Sequence, residues 1–575
     1  MNTKKELTGY PSIDKPQYLY YKERPKRVFD KDQTIYSIVF NQYQNMGAAA
    51  IEYLGVEWTF EQLKRLTDQA AASFFNSGLR CGDVVLIGVS NCPESLVTLL
   101  ALNKIGAISK WFDVRAGEKD IEEYANESNC RYLIIFDMLI NSVVSIIDST
   151  KLEKVLIITP ADSLSTVKRI GYSVKEKVNL PKDYRFMLFH TFVKKYNTIK
   201  GIECVNYDRN RPSVMVQSSG TTGKPKVIVH SDYSASRCVR SMSYTDLPIE
   251  EGKTLLNLLP PWIAYAIGDT LIYPLALGCK VILSPTFNPE VIMDYIGKFT
   301  VSFTAPPPYR YLYEHFEELT SKKKNAFFEK VDALISGGDK VTIEENKRFE
   351  QKFGMGLVNG YGDNEGWGCI TVNPIRHNKY GSVGIGKYGD TVIAYDNENN
   401  KELPYNETGE ICVLTDTMFL YYENNENETN AVKKKHSDGY IWLHTGDLGY
   451  IDNEGYLFLK GRLRRVITRL GFKLSAYTIE ECISKNPYVK ECVVVEVNDK
   501  EEEHVPMAFV VIKDGIIESE KSIENSILDQ CNKQLKQPEI PKHIRFVNLL
   551  PYTQNGKYDF RRLEEEGNEY IESMQ

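Results

Sequence analysis

Apolar residues recur at helical spacing over residues 59–76, run unbroken over 84–89, and return to helical spacing over 94–105. An amphipathic stretch followed by a short continuous apolar run predicts a helix beside a buried strand, and repetition of that pair predicts a parallel or mixed sheet with helices on its faces. The alternation resumes between Val214 and Gly338, with residues 214–217, 254–258 and 280–283 as the strand-like runs. From Val372 to Leu459 the runs shorten, and the turn formers Asn406-Glu-Thr-Gly409 and Asp452-Asn-Glu-Gly455 predict a β-rich subdomain built of hairpins. Past Gly461 a smaller α+β unit is expected, with a helix from Ala476, strands at 492–497 and 507–512, a helix over 523–535 and a strand at 543–547. Residues 422–429, rich in Asn and Glu, and residues 433–438 read as exposed loops without chemistry, and no fixed-period repeat is present. The expected fold class is therefore α/β: a large N-terminal domain of layered α/β subdomains plus a β-rich subdomain, then a small α+β C-terminal domain.

At 575 residues the chain has room for several cores, and contents of 42% hydrophobic, 26% charged and 11% aromatic residues exclude a disordered or fibrous protein. A net charge of -7 supplies no basic field for a phosphate backbone, so nucleic acid is not an expected partner. The 11 cysteines are odd in number and contain no C-x-x-C pair, which predicts reduced thiols rather than a disulfide framework or a zinc site. Residues 1–27 lack the apolar run of a signal peptide and no later stretch has the length of a membrane span, so the expectation is a cytoplasmic protein without integral membrane association.

The strongest local signal is Ser218-Ser219-Gly220-Thr221-Thr222-Gly223-Lys224-Pro225-Lys226, directly after the apolar run 214–217. Gly220 and Gly223 let the backbone approach a ligand and point amide N–H groups at it, while the hydroxyls add donors, a composition suited to polyphosphate oxygens. It is not a Walker A loop, because the glycines are too close together and neither Ser nor Thr follows Lys224. Taken alone, such a loop is equally consistent with a mobile surface connection.

In this segment the chain resembles the adenylate-forming superfamily, which includes acyl- and aryl-CoA synthetases, luciferases and nonribosomal adenylation domains. Further segments resemble that family's motifs in order: Asn359-Gly360-Tyr361-Gly-Asp-Asn364-Glu365, Gly409-Glu-Ile411, Thr445-Gly-Asp447, Gly461-Arg462 through Gly471, and Asn555-Gly-Lys557. Each is modestly specific, and the ordered set is highly specific. The resemblance implies an enzyme that activates a carboxylic acid with ATP and Mg²⁺ and transfers the acyl group from the adenylate to the thiol of CoA. It implies that Tyr361 lies against adenine with Gly337, Gly338 and Asn359 around the base, that Glu365 holds Mg²⁺, that Asp447 accepts from the ribose hydroxyls, and that Arg462 clamps ribose or phosphate. Lys557 is implied between the carboxylate and the α-phosphate, while Gly471 and Lys473 are implied on the path of the incoming pantetheine. It also implies that the C-terminal domain is mobile, with residues 1–460 as the nucleotide-binding part, 461–465 as hinge and 466–575 as lid. In isolation each residue also has an ordinary reading: Tyr361 as a core residue, Glu365 as a solvated carboxylate, Arg462 as a surface arginine, Lys557 as an exposed lysine beside a turn.

The chain departs from the family pattern at Val227, where a glycine is usual, at Asn364, where a threonine is usual, and at Arg464 and Arg465 in the hinge. Asn364 retains an amide able to donate to phosphate, and adenylation with altered detail is expected. Candidate acid-pocket residues are Trp262, Ile263 and Tyr265, with Asp339. No aspartate stands near Trp262 to pair with an α-amine, which favours a fatty or aryl acid; Asp339 or Asp269 is the residual source of a counter-ion. The alternatives left open are loading of a separate carrier protein and an inactive nucleotide-binding homologue.

Overall fold

The computed structural model describes residues 7–574 apart from 22–24, 26, 28, 42–44, 165–177, 198–200, 219–224, 471 and 553–557, and apart from the side chains of 464, 473 and 574. The helix Phe60–Asn76 begins where Thr59 accepts from the backbone N–H of Gln62 and Gln62 reaches back to the N–H of Thr59, a capping box that satisfies two otherwise orphan donors. It packs with the helix Pro93–Ile105 on an eight-stranded sheet whose inner strands are Pro212–Gln217, Ile108–Trp111, Val84–Gly88, Tyr132–Phe136 and Lys154–Ile158, paired in parallel. A nine-stranded sheet runs through Val358–Asp363, Ala333–Ser336, Val301–Thr304, Thr254–Asn257, Lys280–Leu283 and Ala49–Tyr53, also parallel along this path. The largest apolar cluster draws on both sheets, from Val85 and Val216 in one to Leu255 and Ile335 in the other.

The β-rich subdomain expected over 372–459 begins later, because Gly368–Val372 and Ile385–Gly386 belong to the nine-stranded sheet; its antiparallel sheet runs from Thr391–Asp396 to Leu457–Arg462, with Gly409–Leu414 between Thr391–Asp396 and Ile441–Ile451. The last part carries the three-stranded sheet Val489–Asp499, Glu503–Ile512 and His543–Phe546, with the helices Ala476–Ser484 and Glu520–Gln534 close to the expected positions. The helix Phe560–Met574, for which no expectation was formed, packs on the same sheet. The architecture is α/β with a large N-terminal part and a small C-terminal α+β part. All 11 cysteines are free, in line with the absence of a disulfide framework. Among the described residues no helix is long and apolar enough to cross a membrane.

One expectation fails. Residues 422–438 are not a pair of plain loops: Tyr421–Tyr422 adds a strand to the eight-stranded sheet, Glu426–Val432 is a helix capped by Asn425, and Lys433–Lys435 pairs with Ile441–Ile451. The polar composition belongs to a short helix and an edge strand, whose outward faces are solvated whatever their backbone conformation.

The two large sheets meet at the turn after Val358–Asp363, and Asn364 fastens the junction. Its amide donates to the carbonyl of Gln217 at 2.9 Å, its side-chain oxygen accepts from the N–H of Ala264 at 2.9 Å, and its carbonyl accepts from His230 Nε2 at 2.7 Å. The N–H of Phe419 donates to the Glu365 carbonyl at 2.7 Å, and the Thr417 hydroxyl donates to the Gly366 carbonyl at 2.7 Å.

Asn364→Ala is expected to lower unfolding stability by about 2–4 kcal/mol, because two backbone groups lose their partners at once; a loss under about 1 kcal/mol in denaturant titrations would contradict that role. Burial holds the His230 imidazole at a pKa of about 3, so the folded chain keeps it neutral, with the single N–H that the Asn364 carbonyl accepts. The unfolded chain takes up a second proton below about pH 6.5, so between those limits stability drops as the pH is lowered, by about 1.4 kcal/mol per unit from this group. His230→Gln keeps a donor for the Asn364 carbonyl and is expected to bind about one proton fewer on unfolding near pH 5 than the parent. Equal pH slopes for the two proteins would show that His230 does not titrate as described.

Candidate nucleotide site

Open α/β sheets bind ligands outside the carboxyl ends of their parallel strands. Ala333–Ser336 and Val358–Asp363 pair through Ser336 and Asn359, and Gly337, Gly338 and Asp339 follow the first of these strands. Gly337 is buried with the Tyr265 ring against it: a side chain there would begin 3.2 Å from the tyrosine oxygen. Gly338 and Asp339 are exposed. Asn359 is buried, and among the described residues its side-chain oxygen has no partner; the same holds for Ser336 Oγ and Gln217 Nε2. Unpartnered polar atoms at adjoining strand ends are costly unless a ligand completes them.

Tyr361 and Asp447, 86 residues apart, are joined by a 2.7 Å hydrogen bond from the phenol to the carboxylate. The other oxygen of Asp447 lies 2.9 Å from Arg462 Nε, and the two residues face each other in the register of Ile441–Ile451 with Leu457–Arg462. Asp447 is buried while the Arg462 side chain is half exposed, so the carboxylate forms the floor and the guanidinium the rim. The carboxylate raises the Arg462 pKa, and burial followed by the Asp447 charge raises that of Tyr361. Burial and the nearby charge of Glu365 push Asp363 well above the usual carboxylate range, against the N–H of Gly366, which donates to it at 2.6 Å. The charges of Asp447, Glu365 and Asp363 all act on the Arg462 guanidinium, and a carboxylate such as Glu365 is the hard oxygen donor that Mg²⁺ prefers.

Two residues of the supposed loop 422–429 belong to this site. The Tyr422 hydroxyl donates to Glu365 at 2.7 Å, and the Lys226 ammonium sits 4.9 Å above the Tyr422 ring while pairing with Glu428. No spacing signal in the sequence marks Tyr422 or Glu428, because their relation to Glu365 and Lys226 arises from the strand that Tyr421–Tyr422 adds beside Val227–Ser231. Ser218 and Lys226 close the base of the hydroxyl-rich loop through bonds of 2.8 and 2.9 Å, and Val227 opens the following strand, buried and paired with Gln217. Ser219, Gly220, Thr221, Thr222 and Gly223 lie outside the described residues, as do Lys557, Gly471 and the side chains of Lys473 and Arg464. Gly360 lies in the strand pairing with Val372. Arg465 is bound to Glu480 and stacks over the Phe560 ring at 4.0 Å, inside the C-terminal part.

On the presumed acid side, Trp262 is buried edge-on against Phe287 at 5.5 Å, whereas Ile263 and Tyr265 are partly exposed. Asp269 is not free to receive an amine. It is fully buried, accepts from the N–H of Cys369 at 2.9 Å and shares a pocket of charge with the buried Lys387, and burial lifts its pKa to about 6. The C-terminal part touches the segment after Ala333–Ser336: the Lys340 ammonium lies 4.2 Å over the Tyr477 ring. Tyr552 and Tyr558, on either side of residues 553–557 in the sequence, pair with each other, and besides burial and nearer groups the Asp339 charge raises both phenols.

The pattern of the AMP-binding enzyme family matches residues 40–423, and that of its C-terminal domain matches residues 478–557. The chain is 28% identical over 539 residues to a long-chain-fatty-acid–CoA ligase of Bacillus subtilis (strain 168), covering 90% of this chain and 92% of the relative. It is 24% identical over 512 residues to 4-coumarate–CoA ligase 4 of Arabidopsis thaliana, with 87% and 84% covered. Its fold is similar to that of ATP-bound MatB from Rhodopseudomonas palustris, with a TM-score of 0.81, 21% identity and coverage of 94% and 100%. It is also similar to the anthranilate CoA ligase AuaEII in complex with anthranoyl-AMP, with a TM-score of 0.79, 21% identity and coverage of 94% and 98%. The contact between Tyr361 and Asp447, and a pattern match over residues 40–423, lead to one conclusion: the chain belongs to the AMP-binding enzyme family.

Proposed function

We propose that this protein uses ATP to join a fatty or aryl carboxylic acid to CoA through an acyl-adenylate. The observation that carries this reading is the Tyr361–Asp447–Arg462 bridge beside the unpartnered Asn359 side-chain oxygen. An adenine amino group is a donor of the kind that oxygen lacks, and the two acceptor oxygens of Asp447 suit a pair of ribose hydroxyls once Tyr361 and Arg462 turn to the ligand. The CoA ligases among the relatives support the same assignment.

At neutral pH the acid is already ionised, so its attack on the α-phosphorus needs no general base. The difficulty is electrostatic: two anions must meet, and charge grows on the oxygens around phosphorus as pyrophosphate leaves. Lys557 answers it by bringing an ammonium between carboxylate and α-phosphate. The electrostatic reach between Asp339 and the tyrosines flanking Lys557 in the sequence supports this assignment. The loop 218–226 cradles the phosphates through its N–H groups and hydroxyls, with Lys226 at its end. Glu365, oriented by the Tyr422 hydroxyl, holds Mg²⁺, which neutralises phosphate charge when bound. Asn364 acts on phosphate indirectly, since its amide already bonds Gln217 and Ala264 and so sets the position of Glu365.

After pyrophosphate leaves, the thiol must approach by another route. Residues 461–465 serve as the hinge on which residues 466–575 turn against residues 1–460, withdrawing Lys557 and bringing Gly471 and Lys473 toward the pantetheine. The acid lies against Ile263 and Tyr265 with Trp262 as a buried wall. A fatty or aryl acid suits these apolar faces, and the engagement of Asp269 in the core removes one counter-ion for an amino acid.

Acid-dependent exchange of pyrophosphate into ATP, with AMP released on adding CoA, tests the assignment; no exchange across a panel of fatty and aryl acids would sink it, and acyl transfer only to a carrier protein would replace CoA as acceptor. Lys557→Ala is expected to reduce acyl-AMP formation, read by mass spectrometry, at least about 100-fold while ATP binding persists. Normal turnover would refute its role. Tyr422→Phe removes one hydrogen bond to Glu365 and is expected to raise the Mg²⁺ concentration for half-maximal exchange by about three- to tenfold; an unchanged Mg²⁺ requirement would separate Glu365 from the metal.

A further inference from the structure

A second constellation of donors lies on the β-rich sheet, in residues that the nucleotide site does not use. Cys412 and His444 are directly opposite each other in the register of Gly409–Leu414 with Ile441–Ile451, and both are buried. His436, at the turn closing the adjoining hairpin, comes down on the same face, with its Nε2 2.9 Å from Nε2 of His444. Cys412 Sγ lies 3.5 Å from Nδ1 of His444. One donor atom from each of the three side chains lies within 4.8 Å of the other two.

The surroundings are built to hold these groups in place. Glu410 Oε2 accepts from His444 Nδ1 at 2.7 Å and from Asn397 at 2.7 Å, and Glu410 Oε1 accepts from the N–H of Gly446 at 3.0 Å. A carboxylate at Nδ1 keeps the proton there and leaves the Nε2 lone pair directed at His436, the arrangement that orients and strengthens a metal-binding imidazole. His436 is stacked between Tyr395, at 4.1 Å and 20°, and Trp442, at 5.1 Å and 11°, which fixes its ring plane. The turn that carries it is closed in both directions, by bonds of 3.0 Å between His436 and Tyr440 and between Gly439 and His436.

We propose that Cys412, His436 and His444 form a binding site for a thiophilic divalent transition-metal ion, Zn²⁺ by class. Two imidazole nitrogens that share one proton at 2.9 Å need only separate to about 3.3 Å, the edge of a tetrahedron with Zn–N bonds of about 2.0–2.1 Å, to take an ion in its place. Soft sulfur with two imidazoles selects zinc over Mg²⁺, which asks for hard oxygens. On binding, the Cys412 thiol gives one proton to solvent, the His436 proton moves from Nε2 to Nδ1, and a water takes the fourth position on the side of the half-buried His436. The thiolate and the Glu410 carboxylate together balance the charge of the ion. The ion ties together the strands that carry Glu410 and the Thr445-Gly-Asp447 turn, so its role is structural and stands apart from the proposed catalysis.

Chelator-treated full-length protein titrated with Co²⁺, a spectroscopic stand-in for Zn²⁺, tests the site. Expected are saturation at one Co²⁺ per chain, a sulfur-to-cobalt charge-transfer band in the near ultraviolet, bleaching of that band by Zn²⁺, and a higher unfolding midpoint with metal bound. Cys412→Ser should abolish the band. His436→Gln, at a half-exposed turn that need not disturb the core, should weaken Co²⁺ binding at least about tenfold. Absence of the band in the parent would overturn the proposal and leave a histidine–histidine hydrogen bond, and so would a band that survives unchanged in either variant, since it would then come from another of the 11 cysteines.

Discussion

The amide of Asn364 is the contact on which the rest of the site depends. It spans the carbonyl of Gln217, where the hydroxyl-rich loop begins, and the N–H of Ala264, where the acid-side segment passes into its helix, while its own carbonyl is bonded by a histidine from a third strand. Each hydrogen bond contributes only about 1 kcal/mol net, but leaving either backbone group unpaired in this interior costs about 1–3 kcal/mol. The paired strands of Gln217 and His230 are therefore tied to the segment at Ala264, and the placement of Glu365 follows from it. A threonine at this position has one hydroxyl in place of an amide and cannot span both partners in the same way.

Holding that junction strains the turn. Trp367, fully buried, adopts φ +64, and Gly368 follows at φ +89 with the Asp269 carboxylate 2.3 Å from where a side chain would begin. A bulky residue in the left-handed region costs about 1–3 kcal/mol and persists only where its surroundings over-determine it. Here the surroundings are Phe419 and Thr417 bonded to the turn carbonyls and His230 packed edge-on to the indole at 4.6 Å. Beside this turn burial, and after it the charge of Glu365, holds the Asp363 carboxyl well above the usual carboxylate range.

In the β-rich subdomain a single carboxylate serves two neighbourhoods. Glu410 bonds the N–H of Gly446 with one oxygen and His444 with the other, so the turn that presents Asp447 and the cluster of Cys412 with the two histidines share a side chain. Glu410 lies opposite Leu448 and Cys412 opposite His444, and the shift in register between these two pairs brings both His444 and Gly446 to the one carboxylate.

What the chain decides locally was legible from its residues. Periodicity located the helix Phe60–Asn76 and the strand Lys280–Leu283 because burial of one face is written in residue order, and the ordered motifs singled out Tyr361, Asp447 and Arg462, which the fold brings into contact. The polar run after Tyr421 misled for the same reason: composition reports solvation of a surface, and an edge strand with a short helix is as solvated as a loop. Only the tertiary structure decided that Tyr422 faces Glu365, that Asp269 is spent in the core, and that Cys412 meets two histidines. Those contacts join residues far apart along the chain through sheet register and the junction at Asn364, and no local pattern encodes a distance that exists only after the strands have paired.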